Sequence, residues 1–318
     1  MHTVLANDGI SQSGIEALEK EGFKVITTKV AQEQLENYIN QNNISALLVR
    51  SATQVRKPLM DACPGLQLIG RGGVGMDNID VDYAKSKGIH VINTPASSSQ
   101  SVAELVFAHL FSGVRYLHNA NREMPLEGDS NFKQLKKSFA QGAELKGKTL
   151  GIIGFGRIGK ATAQMALGMG MKVIYHDHHV TEADITLDFF NGQTITLKIQ
   201  GTSMEELLKK SDFITLHVPA QENGYVLGKK EIELLKPTAG IVNASRGGVI
   251  DEVALIEALD KEKLAFAGLD VFESEPKPEI RILMHPKISL SPHIGASTIE
   301  AQDRIGLELA DQIVTLLN

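Results

Sequence analysis

The chain of 318 residues holds a single cysteine, Cys63, so no disulfide can form within it and a disulfide-stapled secreted scaffold is excluded. A reducing, cytoplasmic setting is expected. No apolar run reaches the roughly 18 residues that a membrane span requires. The opening Met1-His2-Thr3-Val4 leads into a strand pattern and lacks the build of a leader peptide, so no membrane partner is expected. Positive charge is in the minority: 32 Lys and Arg face 38 Asp and Glu, a formal net charge of −6. That balance argues against nonspecific nucleic-acid binding and requires a local basic pocket for any anionic ligand. Low-complexity tracts are absent, and the one internal repeat is a short glycine pattern that occurs twice.

What is present is an alternation of short apolar strands and helical patterns, in a chain long enough for two cores, with 42% hydrophobic residues. Strands are predicted at Val4–Ala6, Lys24–Ile26, Ala46–Val49, Leu66–Ile69 and His90–Ile92, with helices over 13–20 and 31–40 between them. This describes a small parallel sheet complete by about Asn93. A helix pattern from Ser101 to His118 leads away from it, and a polar segment follows from Pro125 to Gly142. Later strands are predicted at 149–153, 171–175, 213–217, 240–243, 266–269 and 288–290. The segment Ser297-Thr298-Ile299-Glu300 has capping-box form, and behind it Ile305, Leu309, Ile313 and Leu317 repeat at helical spacing. The fold class is α/β, with two doubly wound parallel-sheet domains.

The repeated glycine pattern, G-x-G-x-x-G, occurs at Gly70-Arg71-Gly72-Gly73-Val74-Gly75 and at Gly154-Phe155-Gly156-Arg157-Ile158-Gly159. A dinucleotide site needs more than glycines: a strand before them, a helix after them, and an acid closing the next strand about 20 residues on. The second copy has all three. Thr149 to Ile153 reads as the strand, Lys160 to Met169 as a helix rich in small residues, and Asp177 closes the following strand. A carboxylate there accepts hydrogen bonds from both adenosine ribose hydroxyls and repels a 2′-phosphate, so NAD is favoured over NADP. At the first copy the corresponding acid position is Asn93, and Asp77 and Asp80 stand where they crowd a pyrophosphate.

Three polar residues fall beyond later strands, at the end where open α/β sheets bind ligands: Arg246, Glu275 and His293. Hydride exchange between a nicotinamide and a hydroxy acid needs such a set. A guanidinium holds the carboxylate and polarises the carbonyl. An imidazole moves the proton, and a carboxylate beside it stabilises the charged ring. The sequences around them, N-A-S-R-G-G, L-D-V-F-E-S-E-P and S-P-H-I-G-A-S-T after G-F-G-R-I-G, resemble the D-isomer-specific 2-hydroxyacid dehydrogenases over essentially the whole chain. Val49-Arg50-Ser51-Ala52-Thr53, Gly70 to Asn78 and Asn93-Thr94-Pro95 are most similar to the branch acting on a phosphorylated substrate, the phosphoglycerate dehydrogenases.

The resemblance implies that Arg246, Glu275 and His293 are catalytic. It places Gly154, Gly156, Arg157, Ile158, Gly159, His217, Pro219, Ser245 and Gly295 at the cofactor, with Asp177 on the ribose and Asp270 near the nicotinamide carboxamide. It also implies a flavodoxin-like substrate domain over 1–96 plus 297–318, a Rossmann NAD domain over 97–296, and a homodimer or homotetramer. Backbone N–H groups of Arg71, Gly72, Gly73 and Val74 are expected either to form an anion nest for the substrate carboxylate, which the resemblance supports, or to make a tight turn that the sheet geometry requires. Arg50 and Arg71 are candidates for a substrate phosphate, and Lys136 and Lys137 for a solvated charge run or a neighbouring subunit's site.

Two readings compete with the phosphorylated 2-hydroxy or 2-keto acid. The same chemistry serves hydroxypyruvate or glyoxylate, and the fold also suits a non-catalytic NAD-sensing binding protein, which the complete trio disfavours. The chain ends just after the closing helix pattern, so insensitivity to free serine is expected. His178 and His179 after Asp177 are unusual for the family. Unusual too is the stretch Ile185 to Ile199, where two alternating runs flank Asn191-Gly192, a hairpin signal in the midst of a dinucleotide fold.

Overall fold

The computed structural model describes residues 2–318, and the chain divides into two compact units, Met1–Ser101 with Ala296–Asn318, and Val102–Gly295. The first unit is a parallel sheet of β1 (Thr3–Ala6), β2 (Lys24–Ile26), β3 (Ile44–Val49), β4 (Leu68–Arg71) and β5 (His90–Asn93), in the order β2-β1-β3-β4-β5. This is the flavodoxin-like order. Every residue of β3 is buried, as befits a parallel strand covered on both faces. The last helix, Ile299–Leu317, turns Ile305, Leu309 and Ile313 onto a core shared with Val4, Ala46, Leu48 and Leu68.

Three expectations shift here. Strand β4 starts at Leu68 and carries Gly70 and Arg71 inside it, so the first glycine pattern begins within a strand. The helix expected over 31–40 is a 3₁₀ turn, Gln32–Gln34, followed by a short α-helix, Leu35–Gln41. The closing helix is capped by Thr298, whose hydroxyl accepts from Ala301 N at 3.2 Å, one residue later than the capping-box pattern at Ser297.

The second unit holds β6 (Thr149–Ile153), β7 (Lys172–His176), the hairpin strands β8 (Glu182–Asp188) and β9 (Thr194–Gln200), then β10 (Phe213–Leu216), β11 (Gly240–Asn243), β12 (Phe266–Leu269) and β13 (Ile288–Leu290). Its main sheet runs β13-β12-β11-β10-β6-β7, all parallel. Strand order reverses between β6 and β10, which puts the ligand crevice at their C-terminal ends. The helix expected to reach His118 stops at Val114, because Tyr116 takes a left-handed φ of 54° before a new helix, Leu117–Glu127. Part of the expected polar segment is itself helical, Phe132–Ser138.

The Asn-Gly signal marks a real hairpin: β8 and β9 pair antiparallel from Glu182↔Gln200 to Asp188↔Thr194, with Gly192 at φ 81° in the turn. Ala183 and Ile185 of β8 are buried, whereas Ile195 and Leu197 of β9 and Phe189 and Phe190 at the turn are exposed. Among the described residues no helix is long and apolar enough to cross a membrane.

Candidate functional site

The second glycine pattern forms the bend between β6 and the helix Arg157–Gly168, and each glycine has its own reason. Gly154 sits at φ 90°, and a Cβ on it would stand 2.5 Å from the carbonyl oxygen of His217. Gly159 packs the helix onto the strand, where a Cβ would stand 2.2 Å from Gly154 O. Gly156 meets nothing within 4 Å, so the space in front of it is open. It is the N-cap of the helix, and the N–H groups of the first turn, from Arg157 and Ile158 onward, carry the positive end of the helix dipole. Open space bounded by those donors fits the pyrophosphate of a dinucleotide.

Asp177 follows β7 beside this bend. Its Oδ2 accepts from Phe155 N at 2.7 Å, and its Oδ1 accepts from His179 N at 2.8 Å and Val180 N at 3.0 Å. Burial alone raises the carboxyl's pKa, but these three donors outweigh it and hold the value below the usual aspartate range. The acid is thus a fixed anion aligned with the glycine turn. The ring nitrogens of His217 are enclosed: Nε2 lies 3.3 Å from Thr162 Oγ1 and 3.2 Å from Thr215 Oγ1, and Nδ1 meets neither partner nor solvent. Burial pulls that imidazole down to about 3, so the ring is neutral at physiological pH. Ser245 is buried, with its hydroxyl donated to Asn243 Oδ1 at 2.8 Å, and Pro219 is exposed beyond β10.

Arg246, Glu275 and His293 follow β11, β12 and β13, three successive neighbours of one parallel sheet, so all three emerge at the same edge. Glu275 and His293 touch: Oε2 lies 2.8 Å from Nδ1, while Oε1 accepts from Phe272 N at 3.0 Å. The carboxylate is held at both oxygens, which makes Nδ1–H the donor and leaves Nε2 for a ligand. Both side chains remain partly open to solvent, 35% and 41% exposed. His293 has a φ of 55°, a left-handed conformation rare outside glycine. Its N–H donates to Asp270 O at 2.8 Å, and the Asp270 carboxylate accepts from Ile294 N at 2.8 Å and Gly295 N at 2.9 Å. Asp270, expected beside the nicotinamide, is 1% exposed and turned to this loop.

Sequence reading missed two residues that shape this edge. Asn243 donates from Nδ2 to Arg246 O at 2.9 Å and accepts from Ser245 N at 3.0 Å, which fixes the turn carrying the arginine. Gly247 lies against the β12 loop so closely that a Cβ would stand 1.8 Å from Phe272 O. The pair of glycines in N-A-S-R-G-G is the signal that could have found the second.

In the first unit, Arg71 ends β4 and Arg50 follows β3, its neighbour, at the same sheet edge. Arg50 is half-buried; burial lowers its pKa, and Asp8 raises it in part. Asp8 Oδ2 also accepts from Arg50 N at 2.7 Å. The expected nest is narrower than four donors. Gly72 N is used by Val49 O and Gly73 N by Arg71 O, both at 2.9 Å, and Arg71 N lies within the strand ladder, so Val74 is the nest residue left to meet an anion. The Arg71 guanidinium crosses Gly73, where a Cβ would overlap Nη1 at 1.9 Å. Lys136 and Lys137 are exposed in the last turn of Phe132–Ser138, where helix carbonyls favour cations.

Comparison with known proteins gives a consistent picture. The profile described as "D-isomer specific 2-hydroxyacid dehydrogenase, NAD binding domain" matches residues 107–295. The chain is 40% identical to hydroxypyruvate reductase of Thermotoga maritima, over 98% of this chain and 97% of that one. It is 38% identical to D-3-phosphoglycerate dehydrogenase of Methanocaldococcus jannaschii over its whole length, which spans only 58% of that relative. Among solved structures it resembles the TT0316 protein of Thermus thermophilus, with a TM-score of 0.85 at 27% identity, covering 100% of this chain and 97% of that one.

Proposed function

The chain belongs to the D-isomer-specific 2-hydroxyacid dehydrogenases, NAD-dependent oxidoreductases, and from that premise we propose that it interconverts 3-phosphoglycerate and 3-phosphohydroxypyruvate, a step of serine biosynthesis. A bound dinucleotide would give a hydride to the substrate's second carbon as NADH, or take one from it as NAD⁺. The protein's part is the proton and the orientation. His293, with Nδ1–H fixed by Glu275 at 2.8 Å, presents Nε2 to the 2-oxygen and gives it a proton in the reducing direction, or takes it in the other. Glu275 stabilises the charged ring that each cycle needs. Arg246 holds the substrate carboxylate and draws charge onto the carbonyl oxygen under attack. The glycine bend, the start of the helix Arg157–Gly168 and Asp177 would hold the dinucleotide.

The observation that carries the phosphorylated substrate is the pair Arg50 and Arg71, set at the same edge of adjacent strands in a chain of net charge −6. Two guanidiniums there suit a dianionic phosphate through charge-assisted hydrogen bonds. The backbone of Val74 then serves the carboxylate end. Arg50→Ala tests this. Loss of a hydrogen bond to a charged group costs about 1.5–3 kcal/mol, so kcat/KM for 3-phosphohydroxypyruvate should fall about 10- to 150-fold, and that for hydroxypyruvate little. Equal losses on both substrates refute the assignment.

A specific observation favours a second reading, reduction of hydroxypyruvate itself: the Thermotoga relative of that name matches this chain end to end. We place the enzyme in the cytoplasm, in keeping with the lone buried Cys63. A homo-oligomer is supported by the exposed apolar side chains Phe111, Leu117, Leu126 and Phe132.

A further inference from the structure

We propose that His109 is a positioning residue for His293, acting through Ser291 and Asp270; this rests on the reading of His293 as the acid–base group. His109 lies on the helix Ser99–Val114, whose buried residues are otherwise largely apolar, among them Val102, Val106, Phe107, Leu110 and Val114. It is 4% exposed, and burial lowers its pKa, with Asp270 raising it and His118 lowering it further. A polar ring in such a place is costly unless both nitrogens are served. Both are. Nδ1 lies 2.9 Å from Ser289 Oγ, and Nε2 lies 2.9 Å from Ser291 Oγ.

The direction of these bonds follows from their far end. Ser291 Oγ donates to Asp270 Oδ1 at 2.6 Å, an oxygen that also accepts from Ile294 N at 2.8 Å. The Ser291 proton therefore goes to Asp270, and Ser291 accepts from His109 Nε2–H. Ser289 Oγ in turn donates to Ser112 Oγ at 3.2 Å, which extends the buried chain beyond the ring. Asp270, fixed in this way, receives the N–H groups of three consecutive residues: His293 on its carbonyl, Ile294 and Gly295 on its carboxylate. Those bonds hold His293 at φ 55° while its ring meets Glu275. A non-glycine residue in that region is strained and persists only when its surroundings enforce it.

A second, independent feature shows that the site is built around the imidazole. Gly268 of β12 lies against it, and a Cβ there would stand 2.6 Å from His109 Cβ and 2.9 Å from Cγ. The strand gives up a side chain where the ring sits. Strand β13 supplies Ser289, and Ser291 follows two residues on and so on the same face, at the spacing that meets both ring nitrogens.

The test is steady-state reduction, with whichever of 3-phosphohydroxypyruvate and hydroxypyruvate the wild type reduces faster, by His109→Leu, Ser291→Ala, Ser291→Thr, the His109→Leu/Ser291→Ala double variant and His293→Ala. NADH affinity is read separately by fluorescence. Displacement of the His293 loop should lower kcat about 10- to 100-fold in His109→Leu and in Ser291→Ala, with NADH affinity within about threefold of wild type. Ser291→Thr keeps the hydroxyl and should restore kcat. The double variant should be no slower than the worse single one, because both break the same chain. If His109→Leu fails to fold, Ser291→Ala with Ser291→Thr carries the test alone. Unchanged kcat in folded Ser291→Ala, with His293→Ala inactive, overturns this inference and leaves the acid–base reading standing. Retained turnover in His293→Ala overturns both.

Discussion

Replacing Gly156 by alanine should affect folding and cofactor binding in opposite directions. At Gly156 the backbone is extended, φ −76° and ψ −157°, which alanine adopts without strain, and its Cβ would meet no atom of the protein within 4 Å. Exchange of glycine for alanine at such a position stabilises a fold by about 0.4–1 kcal/mol, through the unfolded chain. The methyl group, however, projects into the open space in front of the first helical turn, where the pyrophosphate must approach the N–H groups. Loss of one or two charge-assisted bonds there, at about 1.5–3 kcal/mol each, weakens NADH at least about tenfold. Thermal unfolding of the apo protein and NADH fluorescence titration read the two effects separately. The expected result is an unchanged or higher Tm with weaker NADH binding. Unaltered NADH affinity in a folded Gly156→Ala protein would refute the placement of the pyrophosphate. Gly159→Ala is the contrasting case: a Cβ 2.2 Å from Gly154 O forces helix and strand apart, so stability and binding fall together.

Asp177→Asn should weaken NADH about tenfold or more, because an amide cannot accept from Phe155 N on one side and from His179 N and Val180 N on the other as the carboxylate does. An unchanged KM for NADH would contradict that. His293→Ala should lower kcat about 100-fold or more, the span of a general acid–base, with NADH affinity kept; intact turnover would sink the assignment. Stability should fall on acidification because of His217, whose folded pKa of about 3 lies below the ordinary 6.5. Above pH 6.5 the ring is neutral in both states; below it the unfolded chain takes a proton that the folded protein refuses until about pH 3. The loss is at most about 1.4 kcal/mol per pH unit over that window. Urea unfolding at about pH 6.5 and about pH 5 should show a shallower decline in His217→Gln than in wild type, and equal declines would refute the point.

Much of the fold is legible in the sequence because parallel strands buried on both faces read as short apolar runs: β2, β6, β11, β12 and β13 lie where the pattern puts them. The hairpin is legible through alternation around Asn191-Gly192. Boundaries set by single backbone angles are not, as at Tyr116, whose left-handed φ divides one apparent helix into two. At the site, the residue types announce their chemistry but not their supports. Asn243 holds the Arg246 turn, Gly247 admits the β12 loop, and His109 sits far back in the sequence from the histidine it serves; such contacts depend on tertiary packing that local pattern does not encode. The nest at Arg71 to Val74 is narrower than its glycines suggest for the same reason, since the sheet edge and the turn themselves use the Gly72 and Gly73 donors.

The phosphorylated substrate is tested most directly by NADH oxidation with 3-phosphohydroxypyruvate and with hydroxypyruvate side by side. A kcat/KM at least about a hundredfold higher for the phosphorylated acid, or about 2.7 kcal/mol of transition-state discrimination, is the predicted result. Near equality would contradict it, make the enzyme a general 2-keto-acid reductase and leave Arg50 and Arg71 without a phosphate to bind.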